Sequence, residues 1–274
     1  MIVRPRAIIP PSQWDAFVWA QPGGWIWQTS GWLDYLAVTR DDYSVALVEG
    51  RQVVGLIPLL RAGEKFDPTD PLPAPLGVVS RELASLRSEY PAARWRGMPQ
   101  RDRTDRGFST RVIDLTQEDS ALWRDLRKSY HALIHRAEER HRVRVGTVAE
   151  LAALYAEAPD LPQLHAEQWA CLRRLVADQF LLVLVAEDAV GDGGIMGAVG
   201  VYFARGWAYY GHGRSREPNV NHLLHWAARD YLRARNVQHY EIGWEAREDD
   251  DAKAHAIAFH KAGFTSGRWW VPVQ

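Results

Sequence analysis

The sequence predicts a mixed α/β protein with two sheets, one built on each half of the chain. Short β-rich runs are grouped and interspersed with amphipathic helices, a pattern that fits neither a helical bundle nor a β-sandwich. The 274 residues also exceed the roughly 150 residues of a typical domain. A content of 47% hydrophobic and 24% charged residues is globular and excludes a disordered or fibrous chain.

The elements follow in order. Residues 2–9 are strand-like, Pro10-Pro11 breaks the run, and Ser12 with Asp15 marks a helix start for 12–20. A second helix begins at Thr29 or Ser30. Residues 43–48 and 52–60 are β-rich and joined by Glu49-Gly50-Arg51, a hairpin signal. Four prolines within 66–75 predict an exposed loop that continues neither helix nor sheet. Residues 82–90 read as helix and 110–115 as strand.

The domain boundary is placed near residue 116, giving domains 1–116 and 117–274. Thr116 and Asp119 then cap one amphipathic helix with Leu122, Leu126, Tyr130, Leu133 and Ala137 on its apolar stripe. A strand at 142–145 precedes Thr147/Glu150, a capping box, with helices at 148–157 and 163–177. Residues 180–187 read as a buried strand, 191–194 (GDGG) as a turn, and 195–204 and 207–210 as strands around Arg205-Gly206. Helix 221–235, strand 238–243, helix 252–262 and strand 268–273 complete the chain.

Charge and cysteine content exclude several function classes. Thirty-three basic and 34 acidic side chains leave a net charge of −1, against a dedicated nucleic-acid-coating protein though not against a local basic patch. One cysteine, Cys171, excludes an internal disulfide framework and multi-cysteine metal sites. It lies on a helix without a basic or glycine elbow and reads as a buried, inert thiol. No apolar run reaches a membrane span, and the N-terminus lacks a secretion signal, so a cytoplasmic location is expected. His131/His135 and His222/His225 have no accompanying third ligand, so no metal is expected. GDGGIM at 191–196 lacks the third glycine of a dinucleotide loop and joins two strands.

Three segments carry a resemblance. They are WQTSGWLDYL (27–36) with the hairpin ending VVGLIPLL, SYHALIHRAEERHRVRV (129–145), and AYYGHGRSREPNVNHLLHWAARDYLRARNVQHYEIG continuing to HKAGF (260–264). Together they resemble the Fem-type aminoacyltransferases and their GNAT-fold relatives, in order and over most of the chain. HKAGF is similar to the family's Phe-Lys-x-x-Phe motif, with His260 in the phenylalanine position and Lys261 in the lysine position. The resemblance implies two tandem GNAT-like domains. It implies transfer of an amino acid from aminoacyl-tRNA to the amine of a peptide or small molecule, with no further cofactor. An acyl-CoA-dependent N-acyltransferase of the same fold is the alternative; its pyrophosphate loop is approached only by AYYGHG (208–213), with Ala208 where arginine or glutamine should stand. A non-catalytic binding protein of that fold is a third reading.

The residues themselves suggest where such chemistry would lie. Aminolysis of an ester needs a neutral amine, oxyanion stabilisation and a proton for the departing hydroxyl. Lys261 is one of only four lysines. It ends a helix just before Gly263, so it either meets the oxyanion or merely complements the helix dipole. Tyr209 and Tyr210 end a strand before a glycine- and arginine-bearing loop, where Arg214 and Arg216 could grip a phosphate and Asn221 could bind substrate or cap the helix. Glu241 and Glu245, at a strand end and in the next loop, are candidate bases or ammonium partners. The acidic run 248–251 reads as a helix start. Residues 94–144 hold thirteen Lys/Arg against eight Asp/Glu. Within them Arg124, Lys128, His131 and His135 form one helical stripe suited to a tRNA backbone, or simply a solvated face.

Overall fold

A computed structural model describes residues 1–62, 72–90, 93–102, 107–158, 163–191, 193–246 and 250–273. The chain divides into two compact units: Met1–Phe108 with Ala166–Cys171 and Trp270–Gln274, and Ser109–His165 with Leu172–Trp269.

The first unit contains β1 (Ile2–Pro5), α1 (Pro11–Ala20), α2 (Ser30–Ala37), β2 (Asp41–Asp42), β3 (Val45–Glu49), β4 (Gln52–Ile57), β5 (Leu60–Arg61), β6 (Leu72–Pro73), β7 (Leu76–Gly77), α3 (Ser80–Glu89) and β8 (Trp95–Arg96). Its main sheet runs β1-β3-β4-β7, antiparallel throughout. Gly50, at φ +61°, turns the expected hairpin. Trp14, Leu33, Leu47, Leu56 and Ile57 are fully buried in the core of this unit. The Trp14 indole donates to the Gln28 carbonyl at 2.7 Å, so its burial leaves no orphan N–H.

The structure corrects three expectations in this unit. The strand from Ile2 stops at Pro5 and becomes a 3₁₀ turn. Asp15 does not join Ser12 in a cap; its carboxylate instead accepts both the backbone N–H and the hydroxyl of Ser30 at 2.6 Å, fastening the start of α2. Leu72 and Pro73, read as exposed loop, are buried in a strand parallel to β8, where Pro73 fits because a short edge strand can spare its N–H. Residues 66–71 of that stretch lie outside the described residues.

The second unit holds most of β9 (Gly107–Asp114), then α4 (Asp119–Asp125), α5 (Lys128–Glu138), β10 (His141–Val145), α6 (Val148–Ala156), part of α7 (Ala166–Ala177), β11 (Leu181–Asp188), β12 (Ile195–Ala204), β13 (Trp207–Ser215), α8 (Pro218–Arg233), β14 (His239–Trp244), α9 (Ala252–Lys261) and the start of β15 (Arg268–Pro272). The sheet order is β10-β11-β12-β13-β14-β9-β15. β11 is buried along Leu181–Ala186, as a central strand covered on both faces requires.

Two departures shape the site. β13 does not end at Tyr210: it stays paired to β12 as far as Ser215, with Gly211 as the extra residue of a bulge. A side chain at Gly211 would overlap the Tyr202 ring, which is why the bulge falls on glycine. β13 pairs with β14 in parallel only over Trp207–Tyr209 against His239–Glu241. Beyond that point each strand goes its own way, so the expected arginine loop is largely strand.

The single helix expected from Thr116 is two helices, broken at Leu126 and Arg127. The Arg127 N–H leaves the helical ladder for the Gly263 carbonyl at 2.8 Å, a tertiary bond that overrides continuous helical periodicity. Asp114, not a Thr116 cap, takes the Thr116 hydroxyl and N–H. Asn221 lies inside α8, which starts with Pro218 at its first turn.

Thr147 and Glu150 form the expected capping box at the start of α6. Glu150 also binds Arg144 at 2.6 Å, and that hydrogen bond holds its carboxyl below the usual range. Thr147→Ala is expected to cost about 1 kcal/mol, read as a lower urea midpoint with an unchanged slope; no change would leave the cap without energetic weight.

Candidate active site

Lys261 ends α9 against a distorted stretch of β14. The β14–β9 register shifts between Glu241 and Gly243, and Gly243 sits at φ +117°, a conformation that L side chains rarely adopt. A Cβ on Gly243 would overlap the Lys261 Nζ. The bulge therefore lets the lysine stem lie directly on backbone. Nζ lies 5.5 Å from the centroid of the Trp244 ring, within cation–π range. Burial brings the Lys261 ammonium down to about 8 from the usual 10.5, against the pull of the Glu241 carboxylate. Glu241 itself is only 2% exposed and accepts a hydrogen bond from the buried Thr110 hydroxyl at 2.8 Å.

A group of imidazoles flanks the lysine. His225, buried on α8, is hydrogen-bonded through Nδ1 to the Tyr240 hydroxyl at 2.9 Å, and its ring lies 4.6 Å from that of Tyr210. His222 and His260 are 4.8 Å apart and meet Tyr130 and Phe264. Burial, then neighbouring positive charge, holds His225 well below its usual range and His260 near 4; burial also lowers His222. These rings are neutral at physiological pH. The charge that Lys261 adds to the group is therefore not duplicated by an imidazolium. Among the described residues no group of three or more His, Cys, Asp or Glu could hold a metal ion.

Tyr130 closes one side. Its hydroxyl donates to the His260 carbonyl at 2.8 Å, and a Cβ on Gly263 would overlap its ring. Gly263 is thus required by close approach rather than by a left-handed helix end.

The remaining candidates lie at varied places. Tyr209 stands opposite Glu241 in the β13–β14 register, and Tyr210 is half-buried, with desolvation pushing its hydroxyl pKa up. Arg214 is half-buried on β13. Arg216 grips Glu157 with two nitrogens, so it is engaged rather than open to a phosphate. The Asn221 Oδ1 is buried without a hydrogen-bond partner. Glu245 is clamped by the Ser109 hydroxyl at 2.5 Å and by Arg111 and Arg268. Although burial opposes ionisation, Ser109 and the two arginines outweigh it and lower its pKa, which suits an anchor and not a base.

The stripe of Arg124, Lys128, His131 and His135 is interrupted by the break before α5. Arg124 and Lys128 are exposed, whereas the His131 ring stacks on Trp123 at 4.5 Å and His135 pairs with Glu138. Sequence reasoning missed Thr110, Tyr130, Gly243 and Trp244, and considered His222 and His225 only as metal ligands. A histidine next to the motif lysine, together with His222/His225, was the available signal for an imidazole cluster.

No family sequence profile matches the chain, and no curated protein matches it in sequence. Solved structures do. FemX superposes with a TM-score of 0.65 at 13% identity, covering 98% of this chain and 97% of its own. L-PGS from Bacillus licheniformis gives 0.61 at 12% identity, covering 96% and 90%. A tandem GNAT protein from the clavulanic acid biosynthesis pathway gives 0.51 at 16% identity, covering 100% and 98%. The chain has a tandem GNAT fold. Within this GNAT architecture, the lysine, its bulge and the imidazole group all belong to the second unit. No helix among the described residues is long and apolar enough to cross a membrane.

Proposed function

We propose that the protein is an acyltransferase that moves an amino acid from aminoacyl-tRNA to the amine of a peptide or small molecule. The amine nitrogen attacks the ester carbonyl and an oxyanion forms. The ribose oxygen then departs and takes up a proton, while the nitrogen loses one; the products are an amide and free tRNA. Lys261 carries this reading: it is a half-buried ammonium with a pKa lowered by desolvation, held on backbone beside a buried carboxylate. Such a cation stabilises developing negative charge far better than one in water. Glu241 keeps the ammonium charged, and the neutral imidazoles exclude water around it. No cofactor is needed for this chemistry, and charged tRNA is a cytoplasmic substrate. The likeness to FemX and L-PGS supports an aminoacyl donor.

Incubation with charged tRNA and, separately, with acyl-CoA tests the donor. Release of uncharged tRNA only when an amine is present supports the proposal. Release of CoA thiol assigns the site to acyl-CoA, and neither release leaves a binding protein.

Arg124 and Lys128 are exposed cations suited to the tRNA backbone. Replacing both with alanine is expected to weaken RNA binding and to flatten the log–log salt dependence by about one unit for each phosphate no longer neutralised. Unchanged slopes in a salt titration would return both residues to solvent.

A further inference from the structure

Resting on the aminoacyl-tRNA reading, we infer that Trp244 is the platform on which the donor's terminal nucleobase stacks, making it a binding residue of the same site. Trp244 ends β14 directly after the Gly243 bulge and remains 39% exposed. One of its neighbours is the Lys261 Nζ, 5.5 Å from the ring centroid. The indole thus borders the ammonium that would meet the ester carbonyl.

The connectivity of the donor explains the pairing. In an aminoacyl ester of a terminal nucleoside, the carbonyl is joined to the ribose, and the base lies one ribose away. A carbonyl held at Nζ therefore keeps its base close to whatever flat surface adjoins the lysine. Base–aromatic stacking is sequence-tolerant because every base offers a π-face. It would suit a donor end common to all tRNAs.

The indole is also rigidly carried. On one side Gly243 is fixed by the bulge. On the other, Glu245 is held by Ser109, Arg111 and Arg268. A platform loses little conformational freedom on binding when its backbone is anchored at both neighbours. The clamp gives Glu245 a purpose: it is a positioning residue for Trp244. Other exposed aromatics among the described residues do not offer this arrangement. Phe259 is 67% exposed but has the Arg127 guanidinium 3.7 Å from its centroid, and Tyr43 lies in the first unit beneath Arg61.

The test uses stable donor analogues and the full chain. A panel of twenty 3′-aminoacylamino-3′-deoxyadenosines, with amide in place of ester, is compared by calorimetry with the same aminoacyl groups on a ribose lacking its base. The parent is expected to bind at least one adenosine analogue roughly five- to 150-fold more tightly than its baseless counterpart, the range set by one stacked base. Trp244→Leu is expected to erase that difference, and Trp244→Phe to retain most of it. Equal binding of both analogues by the parent, a difference that survives in Trp244→Leu, or no binding of any analogue overturns the inference. The charged-tRNA release assay on the parent decides the donor reading separately. Active release with no base-dependent binding would sink the Trp244 platform while leaving the transferase standing.

Discussion

Lys261→Met is expected to lower the transfer rate by about two to three orders of magnitude, the scale of losing one preorganised charge-stabilising group. Methionine keeps the apolar stem on the Gly243 backbone and deletes only the ammonium. The loss should fall on turnover more than on KM, because the charge acts where the oxyanion develops. Stability should move the other way. The ammonium's pKa is about 8 in the folded protein against 10.5 unfolded, so below pH 8 the fold carries the cost of burying a cation. That cost disappears as pH rises from 8 towards 10.5. Lys261→Met should therefore be more stable than the parent at pH 7, by on the order of 1–3 kcal/mol, with the advantage shrinking towards pH 10.5. The parent's transfer rate should decline through about pH 8 as the ammonium deprotonates. Lys261→Arg should keep partial activity and lose that decline, since a guanidinium stays charged. Near-parental turnover in Lys261→Met would reduce the lysine to a helix-end cation.

The second large effect belongs to a residue with no functional group. Gly243→Ala introduces a Cβ that overlaps the Lys261 Nζ and forces φ +117° on an L residue. The backbone strain alone should cost on the order of 1–3 kcal/mol, and displacement of the ammonium by about an ångström should lower turnover by about a hundredfold. Gly206→Ala is the control. Gly206 also has a positive φ, +78°, but its nearest neighbour is a Gln238 side-chain oxygen at ordinary van der Waals distance. It should suffer the strain in a denaturant melt while retaining turnover. Equal activity loss in the two variants would mean that Gly243 acts through stability and not through the lysine.

Local chemistry was legible in the sequence where the partners are close along the chain. The Thr147/Glu150 box and the Gly50 hairpin required only short-range pattern, the tandem fold came with the family resemblance, and the structure bears them out. Asp251 likewise caps α9, accepting the Ala254 N–H at 2.7 Å; residues 248 and 249 of the same acidic run lie outside the described residues. What was not legible depends on distant partners. Nothing near Arg127 in sequence indicates that its N–H would be taken by Gly263, so the break before α5 was invisible. The extension of β13 to Ser215 depends on what β12 offers opposite, and the Gly211 bulge on the size of the Tyr202 ring. At the site, Lys261 was singled out by a motif and Glu241 by its place at a strand end. Thr110, 131 residues away from Glu241, could not be joined to it without knowing that β9 lies beside β14. His222 and His225 were set aside because a metal was the only use considered for closely spaced imidazoles.

The position of β9 between β14 and β15 has a consequence for how the protein becomes active. β9 comes before every other strand of the seven-stranded sheet in sequence, yet its two neighbours come last among the described strands. Closing those pairings requires loops that enclose most of the second unit, and high contact order of this kind slows folding. The β11–β13 meander can form early from neighbouring hairpins, while Thr110 waits for Glu241 and α9 brings Lys261 later still. Competence for transfer should therefore emerge after collapse, as a late kinetic phase. In refolding from denaturant, secondary structure should recover first and the lysine's chemistry only once the two ends of this sheet's sequence have met.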